Sequence, residues 1–177
     1  MGFADLIIIQ LMKPQTLALP LIGGLLKEKQ FYLATAESCS GGLLGHLITN
    51  VPGSSDYYLG GFITYSNQAK QHFLGVRRQT LQTFGAVSRE TVLEMARGAR
   101  LAFKDDYSAE NLVSLATSGI AGPGGGSPQK PVGTVWVGFS SSDGEEARLF
   151  HFSGTREEIK LQTALKALEL LKTYLLR

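Results

Sequence analysis

The sequence predicts an α/β fold, a three-layer α/β/α sandwich with a mixed β-sheet in a single domain. Segments with helical periodicity alternate with short runs of aromatic and β-branched residues, as is typical of helices packed on both faces of a sheet. Late in the chain, two strand-like runs flank Ser142-Asp143-Gly144, which predicts a hairpin and therefore antiparallel strands. The length of 177 residues suits one domain with its own core.

In the first half of the chain, helices and strands alternate. Thr16 and Ser66 mark the starts of two helices, Gly75 marks the end of one, and aromatic or β-branched residues mark the strands. The predicted elements are, in order, a helix over 16–29 with Thr16 as N-cap, a strand over 31–36, a helix over 43–50, a strand over 57–66 interrupted at Gly60-Gly61, and a helix over 67–74 between Ser66 and Gly75.

The second half begins with a helix and ends with a longer one. Ser88 caps the first of these helices, and Thr155 with Glu158 forms a capping box for the last. The predicted elements are, in order, a helix from 88 to about 103, a buried strand over 112–117, a glycine- and proline-rich loop over 118–131, hairpin strands over 134–139 and 147–152, and a helix after Thr155.

Composition excludes several classes of protein. The net charge is +2, with 17 Lys and Arg against 15 Asp and Glu, and the basic residues are not clustered, so we expect no nucleic-acid partner. The apolar runs at 6–12 and 17–26 are too short or too interrupted to span a membrane. The only cysteine, Cys39, permits no intrachain disulfide, and we expect a cytoplasmic protein.

The chain divides into an N-terminal extension over 1–13 and a domain over 14–177. Asp5 precedes the apolar part of the extension and Lys13-Pro14 ends it, which is not the pattern of a signal peptide. An apolar extension would support self-association, so we expect a homo-oligomer.

The turn Glu37-Ser38-Cys39-Ser40-Gly41-Gly42 gathers two hydroxyls and a thiol between a buried strand and a helix. The free N–H groups of the helix N-terminus favour an anion or a developing oxyanion there. Ser38 is the candidate nucleophile. Cys39 is the rival, because a helix N-terminus lowers the pKa of a thiol. Alternation along the chain points the two side chains in opposite directions, and we assign Cys39 to the core.

Lys70 is the candidate base for Ser38. It lies in the first turn of a helix, whose field disfavours a cation and lowers its pKa, and Ser–Lys pairs can replace Ser–His pairs. Tyr65 stands just before that helix and could relay a proton. On spacing alone, a solvated lysine and a core tyrosine are the more ordinary interpretation. The histidines lie among apolar neighbours inside predicted helices or strands: His46, His72 and His151.

Two other features point to ligand binding. The loop over 118–131 matches neither the P-loop nor the dinucleotide fingerprint, and a flexible surface loop is the alternative, but loops of this length are usually functional. Arg156 lies in the first turn of the last helix, where a cation is unfavourable unless an anion joins it. Compensation by Glu157 and Glu158 is the alternative there. No metal-ligand spacing is present.

Six segments occur together, in order, within about residues 16–175, and with them the chain closely resembles the CinA C-terminal-domain family, the nicotinamide-nucleotide amidohydrolases. They are ATAESCSGG at 34–42, YSNQAK at 65–70, GAVS at 85–88, SGIAGPGGG at 118–126, KPVGTVW at 130–136 and SGTR at 153–156. The resemblance implies hydrolysis of the carboxamide of nicotinamide mononucleotide, giving nicotinate mononucleotide and ammonia, by a stand-alone domain without a metal or organic cofactor.

The resemblance also implies roles for individual residues. Ser38 would be the nucleophile, Lys70 the base and Tyr65 a catalytic helper. The pyridine mononucleotide would be bound by residues of the polar turn, the glycine-rich loop and the last helix, namely Ser40, Gly41, Gly42, Ser118, Gly119, Gly122 and Arg156. Backbone N–H groups near Ser40-Gly41 would meet the oxyanion, and Arg156 or the loop would hold the phosphate.

Two positions depart from the family pattern. Ser40 stands where threonine is usual, and Lys160 stands where a second arginine is common, which weakens bidentate contact with an anion. The 1–13 extension is also atypical, and we expect the pyrophosphatase-like N-terminal domain of some family members to be absent.

The alternative function is a non-catalytic nucleotide-binding or regulatory module linked to competence or DNA damage. The joint presence of Ser38, Tyr65 and Lys70 favours the enzyme.

Overall fold

The computed structural model describes residues 18–177, in which five strands form one mixed sheet. The strands are β1 (Tyr32–Glu37), β2 (Tyr58–Ile63), β3 (Leu112–Gly119), β4 (Thr134–Ser140) and β5 (Glu145–His151). The strand order is β2-β1-β3-β4-β5. β1 runs parallel to β2 and β3, whereas β4 runs antiparallel to β3 and β5. The mixed sheet and its late hairpin are therefore as the sequence predicts.

Helices cover both faces of the sheet. They are α1 (Ala18–Glu28), α2 (Leu43–Thr49), α3 (Asn67–Leu74), α4 (Arg78–Phe84), α5 (Arg89–Leu101) and α6 (Arg156–Leu175), with short 3₁₀ turns at Ser54–Asp56 and Ala109–Asn111. α1, α2 and α6 pack together on one face, and α3 and α4 pack against α5 on the other. No helix within residues 18–177 is long and apolar enough to cross a bilayer.

The two faces of the sheet carry side chains of different size. Leu33 and Leu115 point into the core beneath α1, α2 and α6, and each buried leucine contributes about 1.5–3 kcal/mol. Ala34 and Ala36 point to the other face, because successive side chains of a strand alternate. Their small size lets α5 lie close to the sheet. Gly98 in turn brings α5 against the carbonyl of Leu74 at the end of α3, which positions α3.

Local sequence signals locate several helix ends correctly. The Ser66 hydroxyl accepts the Ala69 N–H at 3.0 Å at the start of α3, and Gly75 ends that helix in the left-handed conformation, with φ of 66°. The capping box of Thr155 and Glu158 opens α6. The N-terminal extension over 1–13 and Thr16 lie outside the described residues.

Other boundaries differ from the prediction. β2 ends at Ile63 instead of 66, which frees the next residues to turn towards α3. β3 extends to Gly119, because its last residues still pair with β4. α4 is not predicted from the sequence. Only Thr80 and Leu81 of that helix are buried, so it shows no apolar stripe.

Candidate active site

Ser38 lies directly after β1, at the carboxyl ends of the parallel strands β1 and β2, the edge at which open α/β sheets bind ligands in a crevice. Its N–H donates to the Thr117 carbonyl of β3 at 3.0 Å, and the Thr64 N–H donates to the Glu37 carbonyl at 2.8 Å. The turn is thereby pinned to both neighbouring strands. The Ser38 side chain is largely covered, with 9% of the residue exposed.

Lys70 reaches Ser38 from α3. Its Nζ donates to Ser38 Oγ at 2.9 Å and to the carbonyl oxygens of Thr64 and Tyr65 at 2.8 and 3.4 Å. The residue is only 1% exposed, and none of the ion pairs within residues 18–177 includes it. A solvated lysine, the ordinary interpretation of the sequence, is therefore wrong.

Burial lowers the pKa of Lys70 from 10.5 to about 8. The sequence predicts a pKa lowered by the helix field, whereas in the structure desolvation of the amine is the main cause. A neutral amine has two N–H groups and one lone pair. If the carbonyls of Thr64 and Tyr65 take the two N–H groups, the lone pair faces the Ser38 hydroxyl and can accept its proton.

Cys39 is part of the core and not of the crevice. It is buried among the apolar residues beneath α6, as alternation along the turn predicts. Burial raises the pKa of its thiol from 9.0 to about 11, so the expected lowering by the helix N-terminus is wrong. A thiol in this setting is a poor nucleophile near neutral pH.

Glu37 organises the polar turn, a role that the sequence analysis did not assign. Its Oε2 accepts hydrogen bonds from Ser40 Oγ at 2.7 Å, Gly42 N at 2.9 Å and Leu44 N at 3.0 Å. Its Oε1 accepts the Gly45 N–H at 2.8 Å. The protein's own carboxylate thus occupies the N-terminus of α2, and these N–H groups are not free for a ligand. A glutamate before two glycines and a helix is the signal that could have indicated this.

The predicted substrate contacts of the turn reduce to two backbone groups. The Ser40 hydroxyl is fully buried between Glu37 and Thr117, 2.7 Å from Thr117 Oγ1, so it cannot contact substrate. The N–H of Gly42 is bonded to Glu37, which removes it as a donor to substrate. The N–H groups of Ser40 and Gly41 donate to no acceptor in the described part of the chain.

Arg156, at the start of α6, joins two other predicted segments. Its Nη1 donates to the Gly122 carbonyl at 2.6 Å and its Nη2 to the Tyr65 hydroxyl at 2.7 Å. Tyr65 is 62% exposed, so a core tyrosine is wrong, and its hydroxyl lies at Arg156. Lys160 follows one helical turn later, with Nζ 3.6 Å from where a Cβ on Gly41 would stand. Lys160 therefore lies beside the polar turn, and Arg156 lies beside Tyr65 and the glycine-rich loop.

Ser118 and Gly119 lie at the end of β3, and both make contacts within the protein. The buried Ser118 hydroxyl donates to the Ala86 carbonyl at 2.7 Å, so its proton is not available to substrate. Gly119 lies against β4, where a Cβ would clash with that strand. Lys130 donates to the Val87 carbonyl at 2.7 Å. These contacts tie the glycine-rich loop to the segment before α5.

The remaining candidates stay outside the site. The three histidines lie on α2, α3 and β5 as predicted, and all are exposed: His46, His72 and His151. Within residues 18–177 no group of three or more His, Cys, Asp or Glu side chains could hold a metal ion.

Comparison with known proteins identifies the family of the chain. Residues 17–175 match the family described as the CinA C-terminal domain. The nicotinamide-nucleotide amidohydrolase PncC of Enterobacter agglomerans is 48% identical over 149 residues, which are 84% of this chain and 87% of that protein. A CinA-like protein of Thermotoga maritima is 47% identical over 85% of this chain. This relative is one of several longer curated proteins, and the chain spans about a third of their length.

Solved structures share the fold. A CinA superfamily protein from Klebsiella pneumoniae superposes with a TM-score of 0.83 at 31% identity, covering 91% of this chain and 97% of that one. The competence/damage-inducible protein CihA from Agrobacterium tumefaciens gives a TM-score of 0.75 at 39% identity, covering 88% and 96% of the two chains. The single α/β/α domain is thereby confirmed.

Proposed function

Because the chain belongs to the CinA C-terminal domain family, we propose that it hydrolyses the carboxamide of nicotinamide mononucleotide, giving nicotinate mononucleotide and ammonia. One observation carries the proposal: a buried amine, Lys70 Nζ, lies 2.9 Å from the hydroxyl of Ser38, which follows the end of a parallel strand. The name of the 48% identical relative, which the match covers over most of its length, supports an amide of a nicotinamide nucleotide as substrate.

The first half of the reaction forms an acyl-enzyme. Neutral Lys70 takes the proton of Ser38 as Oγ bonds to the carboxamide carbon, and the carbonyl oxygen becomes an oxyanion. The N–H groups of Ser40 and Gly41 are the available donors for that oxyanion. Protonated Lys70 then gives its proton to the amide nitrogen, the C–N bond breaks, and ammonia leaves. Lys70 is neutral again at the end of this step.

The second half consumes one water molecule. Lys70 takes a proton from the water as its oxygen bonds to the acyl carbon, and a second tetrahedral species forms. That species collapses by breaking the bond to Ser38 Oγ, which regains its proton from Lys70. The products are the free serine and the carboxylic acid, which ionises at neutral pH.

Two positively charged side chains, Arg156 and Lys160, form what we call the cationic mouth of the crevice. Their charge suits the phosphate of a mononucleotide. Arg156 uses two of its five N–H donors on Gly122 and Tyr65, and its other donors can bind an anion. Lys160 adds a second positive charge one turn away, as a point charge instead of a planar fork. Tyr65 links the phosphate-binding group to the catalytic amine, because its hydroxyl accepts a hydrogen bond from Arg156 and its carbonyl accepts one from Lys70.

Incubation of the protein with nicotinamide mononucleotide, followed by measurement of ammonia and of the nucleotide product, tests the proposal. We expect equal amounts of ammonia and nicotinate mononucleotide. Release of neither product would contradict the proposal, and nucleotide binding without turnover would favour the regulatory alternative.

The homo-oligomer and the cytoplasmic location remain predictions, and size-exclusion chromatography tests the first.

A further inference from the structure

Glu37 is a buried carboxylate without a cationic partner. It is 2% exposed, and no ion pair within residues 18–177 contains it. A buried charge is costly unless hydrogen bonds satisfy it. Glu37 receives four such bonds, three from backbone N–H groups and one from a hydroxyl. The carboxylate and the backbone around it therefore hold each other in one arrangement.

The hydrogen bonds around Glu37 have a fixed direction. Ser40 has one hydroxyl proton, which it donates to Glu37 Oε2. The hydroxyl of Thr117, 2.7 Å from Ser40 Oγ, must therefore be the donor in that contact. A directed chain runs from Thr117 on β3 through Ser40 to the carboxylate. It fixes the turn to the sheet on the side opposite to α3.

The same carboxylate closes the turn around Ser38. Glu37 immediately precedes Ser38, and its side chain bonds the N–H of Gly42 at the far end of the turn. This closure requires left-handed backbone at Gly41 and Gly42, with φ of 62° and 96°. Within this loop, the N–H groups of Ser40 and Gly41 take no part in the carboxylate's hydrogen bonds.

We infer that Glu37 is a positioning residue for the reaction, and that its carboxylate is the centre around which the turn folds. In that arrangement the Ser38 hydroxyl meets Lys70, while the N–H groups of Ser40 and Gly41 remain unused for the oxyanion. Glu37 itself touches no reacting atom. The inference rests on the proposed function, because it concerns the catalytic competence of the same serine.

Glu37→Gln tests the inference, with Glu94→Gln as the matched control. Glutamine places an N–H₂ group among donors that all need an acceptor, so the turn shifts. We expect kcat for nicotinamide mononucleotide to fall about 10²-fold, the usual cost of misplacing a catalytic group by roughly 1 Å. KM should change little, because Gly122 and Tyr65 hold Arg156, and neither residue belongs to the turn.

Glu94 is also a buried glutamate, accepting hydrogen bonds from Arg77 and Thr80 in the opposite helical layer. Glu94→Gln should lower the melting temperature but leave kcat unchanged. A Glu37→Gln enzyme that keeps its kcat, or that loses kcat only as much as the control does, would overturn the positioning role.

Two further measurements keep the inference testable. If Glu37→Gln does not fold, Thr117→Val removes only the hydroxyl that donates to Ser40, and we expect a several-fold loss of kcat with KM retained; an unchanged kcat would contradict the inference. If the wild type releases no ammonia, the proposed function fails by itself. In that case the positioning role of Glu37 is tested by the rate at which phenylmethanesulfonyl fluoride modifies Ser38. This rate should fall in Glu37→Gln but not in Glu94→Gln.

Discussion

Lys70→Met removes the amine beside Ser38 and keeps an unbranched side chain of similar size. We expect kcat for ammonia release to fall by about 10²–10⁴-fold, the usual contribution of a general acid–base group. The wild-type rate should rise as the pH passes through about 8, where the buried amine loses its proton. The residual rate of the variant should not show this rise.

The stability of the wild type should depend on pH for the same reason. The lowered pKa of Lys70 means that the unfolded chain binds the proton more tightly than the folded chain. Below about pH 8 the amine is charged in both states, and the folded state bears the full cost of burying the charge. Stability is regained as the pH rises from about 8 towards 10.5. The difference between these pKa values corresponds to roughly 3 kcal/mol.

Ammonia release and urea unfolding, each measured across this pH range, check both expectations. Lys166→Met is the control, because Lys166 is a surface residue of α6 paired with Glu169, and this variant should behave like the wild type. The reasoning would be refuted by a Lys70→Met enzyme with the wild-type pH–rate profile. An equal gain in stability with pH in the wild type and in Lys70→Met would also refute it.

Three further predictions concern other parts of the structure. Arg156→Ala should raise KM about 10–100-fold with a smaller effect on kcat, since a charge-assisted contact with the phosphate is lost; equal KM values would contradict this role. Gly98→Ala should destabilise the fold in urea by about 1–3 kcal/mol or more, because its Cβ would meet the Leu74 carbonyl. Cys39→Ala should retain most of its kcat while the melting temperature falls, and loss of activity in a folded variant would return the thiol to the mechanism.

Signals that act within a few residues were sufficient to predict part of this fold. Ser66 and Gly75 mark the ends of α3 because capping depends on the nearest backbone groups. The turn at Ser142-Asp143-Gly144 likewise indicates the antiparallel hairpin. α4 lacks such signals, since its burial depends on packing against α5 rather than on an apolar stripe of its own.

The site was only partly predictable, because its contacts join distant segments. Residue types and the family resemblance indicate Ser38 and Lys70, yet the depth of burial that lowers the pKa of Lys70 depends on the tertiary fold. The inward direction of the Ser118 hydroxyl is a similar case, because it depends on the position of Ala86, 32 residues away. The contacts of Glu37 were missed for a different reason, because its partners lie only three to eight residues away and the local signal, a glutamate before two glycines and a helix, went unused.

The rate of ammonia release from nicotinamide mononucleotide, compared between the wild type and Ser38→Ala, tests the central claim most directly. Removal of the hydroxyl leaves Lys70, Arg156 and the backbone donors in place, so nucleotide binding should persist. We predict turnover by the wild type and no measurable release by a folded Ser38→Ala variant. Release at the wild-type rate from Ser38→Ala would contradict the account.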